Sequence, residues 1–213
     1  SSRDCDDNND TPGNEENMYP LANWTAFFWS LPDAPGWTRS ADGLGSWRYC
    51  TAGSFILGQA LERATGEKVD AYVARRLFAP LGIARAQWDK SPDGEIQTGG
   101  GLELTLADLG KLATLILDRG EWRGKAVLPA AWIDEMTTAR RDAFFGMRYG
   151  YQMWTRAYET PCGTMTAWFM AGNGGNHVAT FRDQRLVVAV TRQAYNTRDM
   201  HQQTFAMIDR ILA

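Results

Sequence analysis

Leu186-Val187-Val188-Ala189-Val190 is an unbroken apolar run rich in β-branched side chains. It is too short for a buried helix and carries no polar alternation, so it predicts a central strand buried on both faces. Just before it, Arg182-Asp183-Gln184-Arg185 reads as a hairpin turn. Further back, residues 177–182 form a short extended run, and 164–171 alternate loosely between apolar and polar. Together these segments predict an antiparallel meander of three C-terminal strands. Met200 to Leu212 follows with Phe205, Ile208 and Leu212 on one side, an amphipathic helix suited to cover the sheet.

Upstream of Tyr149-Gly150-Tyr151 the periodicity is helical instead. Leu21 to Leu31 reads as a helix stopped by Pro32, and Pro35-Gly36 and Asp42-Gly43 mark turns. Ser54 to Ala64 places Ile56, Leu57, Ala60, Leu61 and Ala64 on one stripe. Val69, Tyr72, Val73 and Leu77 carry a further helix, ended by Pro80-Leu81-Gly82. Residues 84–101 read as loop, closing on Gly99-Gly100-Gly101. Thr105-Leu106-Ala107-Asp108 has capping-box form, and Leu109, Leu112, Leu115 and Ile116 continue that helix. Pro129 opens a short helix through Trp132, Ile133 and Met136. The expected fold class is α+β: an acidic loop over 1–17, a helical lobe over 18–148, and an antiparallel sheet with a C-terminal helix over 149–213.

The 213 residues suffice for one domain with a sizeable core. A formal charge of -3 argues against nucleic acid or an anionic membrane as the main partner. No apolar run approaches the length that spans a bilayer as a helix. Cys5, Cys50 and Cys162 lack metal-ligand spacing. A Cys5–Cys50 disulfide in an oxidising compartment and three reduced thiols both fit this odd count.

Tyr49 lies in Trp47-Arg48-Tyr49-Cys50-Thr51-Ala52-Gly53, immediately before an apolar helix. A phenol held at such a junction can point its hydroxyl into a cleft and take or give a proton. The same position also suits an ordinary half-buried aromatic with a wet tip. In Phe169-Met170-Ala171-Gly172-Asn173-Gly174-Gly175-Asn176, the glycines let a substrate approach the backbone at a strand end. Amide N–H groups there can hold a developing oxyanion, although a plain glycine-rich bend has the same composition. No phosphate-cradle spacing accompanies it. Asp4-Cys5-Asp6-Asp7-Asn8-Asn9 with Glu15 echoes a calcium loop, but Asn9 stands where glycine is needed and Pro12 interrupts it. A solvated acidic loop without metal is the expectation. His177 is expected on a strand near the glycines and His201 on the surface, in neither a Ser-His-Asp nor a metal-binding pattern.

Tyr49-Cys50-Thr51 with its helix is followed in order by "TGEKVDAYVARRLFAPLGI", "GGGLELTLADLGKLATLILDRGEW", "VLPAAWIDEMTT", "YGYQMW" and "GNGGN". So arranged, these resemble the serine beta-lactamase-related family, which includes class C beta-lactamases, penicillin-binding DD-peptidases, family VIII carboxylesterases and 6-aminohexanoate-dimer hydrolase. The resemblance runs from about residue 1 to the C-terminus and implies a beta-lactamase/DD-peptidase-like fold. It implies that Tyr49 is the proton-moving tyrosine of Tyr-x-Asn/Ser, with Thr51 as the hydrogen-bonding third member. Met170-Ala171-Gly172 falls where the family has Lys-Thr-Gly or His-x-Gly, and methionine brings no charge to a substrate carboxylate. Gly172, Asn173 and Gly174 fall at the substrate-binding edge, Asn173 matching the backbone N–H donor of the oxyanion hole.

The family's nucleophile belongs to Ser-x-x-Lys, yet none of serines 1, 2, 30, 40, 46, 54 and 91 has lysine three places on. In the family that motif lies N-terminal to the region matching residue 1. The resemblance therefore implies the C-terminal portion of a serine hydrolase, acting without cofactor on a small-molecule ester or amide through an acyl-enzyme. Its partner would be the missing N-terminal segment, which would carry the serine, the lysine and two strands flanking 186–191. The chain alone is expected to be inactive. A non-catalytic binding protein on the same scaffold, or a true beta-lactamase or DD-peptidase fragment, are the alternatives. A periplasmic or secreted location is favoured over the cytoplasm.

Overall fold

Helices start where side-chain oxygens satisfy the first N–H groups, which have no partner within the helix. A computed structural model of the chain describes residues 2–8, 10–39, 41 and 45–213; the expected Asp42-Gly43 turn lies outside them. Asn23 Oδ1 accepts from Ala26 N–H at 2.7 Å and opens α1 (Trp24–Ser30). Glu95 reaches the same helix end from far along the chain, accepting from Trp24 N–H at 2.6 Å and Thr25 N–H at 3.3 Å. A carboxylate there also complements the positive end of the helix dipole. Next, α2 (Thr51–Thr65) ends at Gly66, whose φ of 72° is the left-handed geometry that glycine tolerates. After it, α3 (Val69–Val73) runs through a wider turn at Ala74–Phe78 into α4 (Ala79–Leu81), which stops at Gly82. Short strands β1 (Gln87–Trp88) and β2 (Leu102–Glu103) pair antiparallel, β1 lying inside the stretch 84–101 that the sequence predicts as loop.

Contacts divide the chain into two units. The first comprises residues 1–79 and 84–103. Its core gathers Cys5, Met18, Trp24, Phe28, Leu31, Ala52 and Phe55, and Cys5 is joined to Cys50 by a disulfide with Cα atoms 5.6 Å apart. Helix α2 turns a different face inward from the one expected. Ala52, Phe55 and Gly58 are buried, whereas Leu57 is 58% exposed. The reason is a close approach: a Cβ at Gly58 would lie 2.3 Å from Thr98 Oγ1, so only the glycine face fits against that segment.

The second unit comprises residues 80–83 and 104–213. It holds α5 (Leu106–Leu117), the β3 (Glu121–Trp122) and β4 (Lys125–Ala126) hairpin, and α6 (Ala130–Thr137). These precede a six-stranded sheet and α7 (Met200–Leu212). Thr105 Oγ1 accepts from Asp108 N–H at 3.1 Å and donates to Asp108 Oδ2 at 2.7 Å, capping α5 as its sequence predicts. Although α5 and α6 fall inside the expected 18–148 lobe, they group with the sheet.

The sheet strands are β5 (Arg141–Asp142), β6 (Arg148–Tyr149), β7 (Trp154–Thr160), β8 (Gly163–Gly172), β9 (Asn176–Phe181) and β10 (Leu186–Val190). Their spatial order is β10-β9-β8-β7-β6-β5, and every neighbouring pair is antiparallel. The expected three-stranded meander is thus extended by β5, β6 and β7. The last escapes a pattern search because Trp154-Thr155-Arg156-Ala157-Tyr158-Glu159-Thr160 is half polar.

Within this chain Leu186–Val190 stands at the end of the strand order, where the reading that its flanking strands belong to a missing segment puts it, and of its residues only Val188 is buried. The strand covered on both faces is β9, buried from His177 through Phe181. His177 and Thr180 point to opposite faces of it. On one face Thr180 Oγ1 donates to Ala113 O of α5 at 3.1 Å. On the other, Phe205 of α7 meets Phe169 and His177 edge-on. An apolar run reports that a strand is covered, here by α5 packing on β9 and β10.

Candidate active site

In the first unit a strap formed by residues 5–7 crosses residues 49–51. The Cys5–Cys50 disulfide anchors it, and Asp7 N–H donates to Tyr49 O at 3.1 Å. The Asp7 carboxylate accepts from Thr51 N–H and from Thr51 Oγ1, each at 2.8 Å. Asp7 thereby serves the N-terminus of α2, where a negative charge is favoured, and Cys50 Sγ accepts from Gly53 N–H at 2.9 Å. Tyr49 is half-buried beside Trp47, ring centroids 6.5 Å apart. Burial, then the charges of Asp7 and Glu15, push its phenol up to about 12, so Tyr49 holds its proton at neutral pH.

Burial, then the charge of Asp7, pushes the Glu15 carboxyl up to about 7. Tyr19 next to it is pushed up to about 12 by burial and then by Glu15. Gln97 Nε2 reaches Tyr19 Oη at 3.5 Å, and Gln97 Oε1 accepts from Gly99 N–H at 2.9 Å.

The acidic loop is not merely solvated. Arg48 Nη1 lies 2.8 Å from Asp4 and 3.7 Å from Asp6, while Asp6 Oδ1 accepts from Asn8 N–H at 2.9 Å and Thr11 Oγ1 at 2.6 Å. These carboxylates face protein donors. Asn9, which the calcium-loop comparison turns on, lies outside the described residues. Among the described residues no three His, Cys, Asp or Glu side chains gather as a metal site, and no helix is long and apolar enough to cross a membrane.

In the second unit, Gly172 pairs with Asn176 at the mouth of the β8–β9 hairpin. The Asn173 side chain clamps two loops together. Its Oδ1 accepts from Gly174 N–H at 2.7 Å and Asn196 N–H at 3.0 Å, and its Nδ2 donates to Asn196 Oδ1 at 2.8 Å. Asn176 Nδ2 donates to Asn173 O at 2.6 Å. Gly174 N–H is therefore used inside the loop, and a Cβ at Gly174 would lie 2.9 Å from the Tyr195 ring. Met170 packs against the apolar cluster of Ile116, Ile133 and Met153.

The histidines form a pair, which corrects the surface placement expected for His201. His177 Nε2 lies 3.0 Å from His201 Nδ1, and His201 is half-buried. His177 stacks on Phe169 at an interplanar angle of 13°, and its Nδ1 has no partner among the described residues. Burial, then the nearby His201 and Arg156, press His177 down to about 3. Between pH 6.5 and about 3 the unfolded chain binds a proton that the folded chain refuses, so stability falls with acid across that window and is complete above it. His177→Phe is expected to lose less stability than the parent between pH 6.5 and pH 4 in urea titrations. Equal losses would show that His177 is not buried neutral.

The structure thus brings Tyr49, Thr51, Asp7 and Glu15 together in one unit, and Gly172, Asn173 and Gly174 together in the other. Sequence reasoning saw Asp7 and Glu15 only as parts of an acidic loop. The one signal that places them beside Tyr49 is the Cys5–Cys50 pairing.

The model of the family described as Beta-lactamase matches residues 35–210. Comparison with curated proteins finds no match. Among solved structures, a Bacillus anthracis protein provisionally named as a 6-aminohexanoate-dimer hydrolase is similar, with a TM-score of 0.66 and 17% identity over 93% of this chain and 55% of its own. A penicillin-binding protein from Bacillus halodurans gives a TM-score of 0.67 at 18% identity, over 91% of this chain and 64% of its own. The octameric penicillin-binding protein homologue from Pyrococcus abyssi gives 0.61 at 19% identity, over 85% and 45%. At such identities the likeness is one of fold, and this chain spans about half to two thirds of their lengths. With its helices, its antiparallel sheet and the matched family model, the chain belongs to the beta-lactamase family.

Proposed function

We propose that the chain is the proton-handling portion of a serine hydrolase that cleaves a small-molecule ester or amide through an acyl-enzyme. The nucleophilic serine and its lysine would come from residues outside this chain. One observation carries the reading: Tyr49 is fixed at the start of α2 by a disulfide and by Asp7, with its hydroxyl kept protonated at neutral pH. Tyr49 would give its proton to the departing alcohol or amine and take one back from the attacking serine or water. Thr51 would hold Asp7 in place through its hydroxyl. The backbone N–H of Asn173 would receive the oxyanion at the end of β8. Gly174 would serve by letting the chain turn tightly rather than as a donor, because its N–H is occupied. With the uncharged Met170 packed in an apolar cluster, an ester or amide without an anchoring carboxylate suits the site better than a beta-lactam.

The test uses a fluorophosphonate probe and a nitrophenyl ester. The 213-residue chain is expected to react with neither, and a longer protein carrying Ser-x-x-Lys in frame is expected to react with both. Robust ester hydrolysis by the chain alone would overturn the placement of the nucleophile. An inert longer protein would favour a non-catalytic binding role instead.

A further inference from the structure

We propose that the His177–His201 hydrogen bond is an acid-sensitive latch: it holds the start of α7 on the Gly172-Asn173-Gly174-Gly175 turn, and it opens when both rings take up a proton. The latch itself stands on contacts within the second unit. Only its bearing on catalysis rests on the reading of Asn173 as the oxyanion donor.

Alternation along the paired strands puts Arg156, Tyr158, Phe169 and His177 on one face of the sheet, the face on which α7 packs. His177 is 1% exposed and directly follows Asn176, which pairs with Gly172 to close the turn. Its Nε2 lies 3.0 Å from Nδ1 of His201, the second residue of α7. The same end of the helix holds the turn at two further points. Gly174 N–H donates also to Met200 Sδ at 3.2 Å, and Thr204 Oγ1 donates to Gly175 O at 2.7 Å. The approach is close, since a Cβ at Gly175 would lie 2.9 Å from Met200 O. Arg192 ties both sides together, its N–H donating to Asn176 Oδ1 at 3.0 Å and its Nη1 to Met200 O at 3.1 Å.

Of these contacts only the histidine bond changes in weakly acidic solution. Thioether, hydroxyl and backbone groups do not titrate there, and arginine stays charged. In the neutral pair one imidazole N–H donates to the lone pair of the other ring. One added proton keeps a charge-assisted bond but sets a cation among Phe169 and Phe205, where burial disfavours charge. Two added protons put hydrogens on both facing nitrogens, and the bond is lost.

The charged groups around the pair do not offset this. From β7, the Arg156 guanidinium sits 4.1 Å from the centre of the Phe205 ring, which itself meets His177 edge-on. Arg192 is turned to Met200 O and Thr204, and Asp199 accepts from Gln203 at 2.8 Å. Burial, then His201 and Arg156, press His177 down, and burial lowers His201. Below pH 6.5 the open form therefore binds protons that the closed form refuses. Opening becomes easier by about tenfold per pH unit for each proton refused, and above 6.5 the latch is at full strength.

Amide hydrogen exchange on the 213-residue chain reads the latch without any activity. The reporters are the amides of Gly174, of Ala194, which donates to Gly174 O at 3.1 Å, and of Gln203, which donates to Asp199 O at 3.0 Å. Their protection is expected to lie below that of the α5 amides and to fall at least about tenfold per pH unit from 6.5 to 4.5. The paired variant His177→Phe with His201→Leu, which keeps apolar bulk, is expected to remove that slope. A slope that persists in it, a parent protection that ignores pH, or one equal to α5 at every pH each overturns the proposal. The unsubstituted chain supplies a check that needs no variant. Its two histidines give two imidazole signals in nitrogen-15 spectra, and both are expected to titrate below the ordinary 6.5. Ordinary midpoints for both overturn the latch.

At pH 7.5, His201→Ala is expected to lower protection at Gly174 by about threefold to tenfold, the worth of one hydrogen bond. In a longer protein with Ser-x-x-Lys in frame, the same change is expected to lower kcat for an ester more than it raises KM. If Gly174 loses protection while kcat is intact, the latch stands and the oxyanion role of Asn173 falls. If Gly174 keeps its protection, the latch falls whatever the turnover.

Discussion

Tyr49→Phe, made in a longer protein with Ser-x-x-Lys in frame, is expected under the proposed function to lower kcat/KM for an alkyl ester by about 10²–10⁴-fold. The substitution removes one oxygen and keeps the ring that packs beside Trp47, so the fold should be retained. The size of the loss should depend on the leaving group. A nitrophenolate departs without needing a proton, whereas an alkoxide or amine anion does not, so the deficit should be larger for alkyl esters and amides. With the phenol pushed up to about 12, chiefly by burial, the phenolate at pH 7 amounts to roughly one part in 10⁵. Tyr49 is therefore poised to donate before it accepts. A deficit below about threefold on both kinds of ester, with unchanged thermal unfolding, would remove Tyr49 from the mechanism.

The second large effect concerns stability. Replacing Cys5 and Cys50 together by serine, in a Cys162→Ser background that prevents exchange with the exposed free thiol, is expected to cost about 2–4 kcal/mol. The bridge closes a loop of 45 residues, for which the chain-entropy argument gives about 4 kcal/mol at 25 °C. Native relaxation brings the expectation below that ceiling. The cost also includes local structure: Cys5 is fully buried among Met18, Trp24, Phe28 and Phe55, and the strap it anchors delivers Asp7 to Thr51. Urea unfolding with and without reductant measures it. Coincident midpoints would mean that the bridge contributes nothing.

Particular elements explain what could be read in advance. The start of α5 and the hairpin at Arg182–Arg185 were legible because the chemistry that makes them is local. Thr105 caps Asp108 three residues on, and Arg185 N–H bonds Arg182 O at 3.1 Å. The inward face of α2 was not legible. Leu57 is more apolar than Gly58, yet Gly58 faces in, because the contact that decides it comes from Thr98. Nor was the burial of β9, whose polar His177 and Thr180 find their partners, His201 and Ala113 O, on other elements. Polarity along a strand signals exposure only when no partner is brought to it.

The candidate site divides in the same way. Tyr49, Thr51 and the Gly172-Asn173-Gly174 turn stand out in the chain itself, because a phenol before a helix and a glycine cluster after a strand are features of consecutive residues. The α+β class follows likewise from the change of period along the chain. Tertiary structure alone decided that β9 is buried from His177 through Phe181 and that Asp7 caps α2. The meeting of Asp7 with Thr51 joins residues 44 apart, and its energy comes from packing, burial and a cross-link that no local pattern encodes.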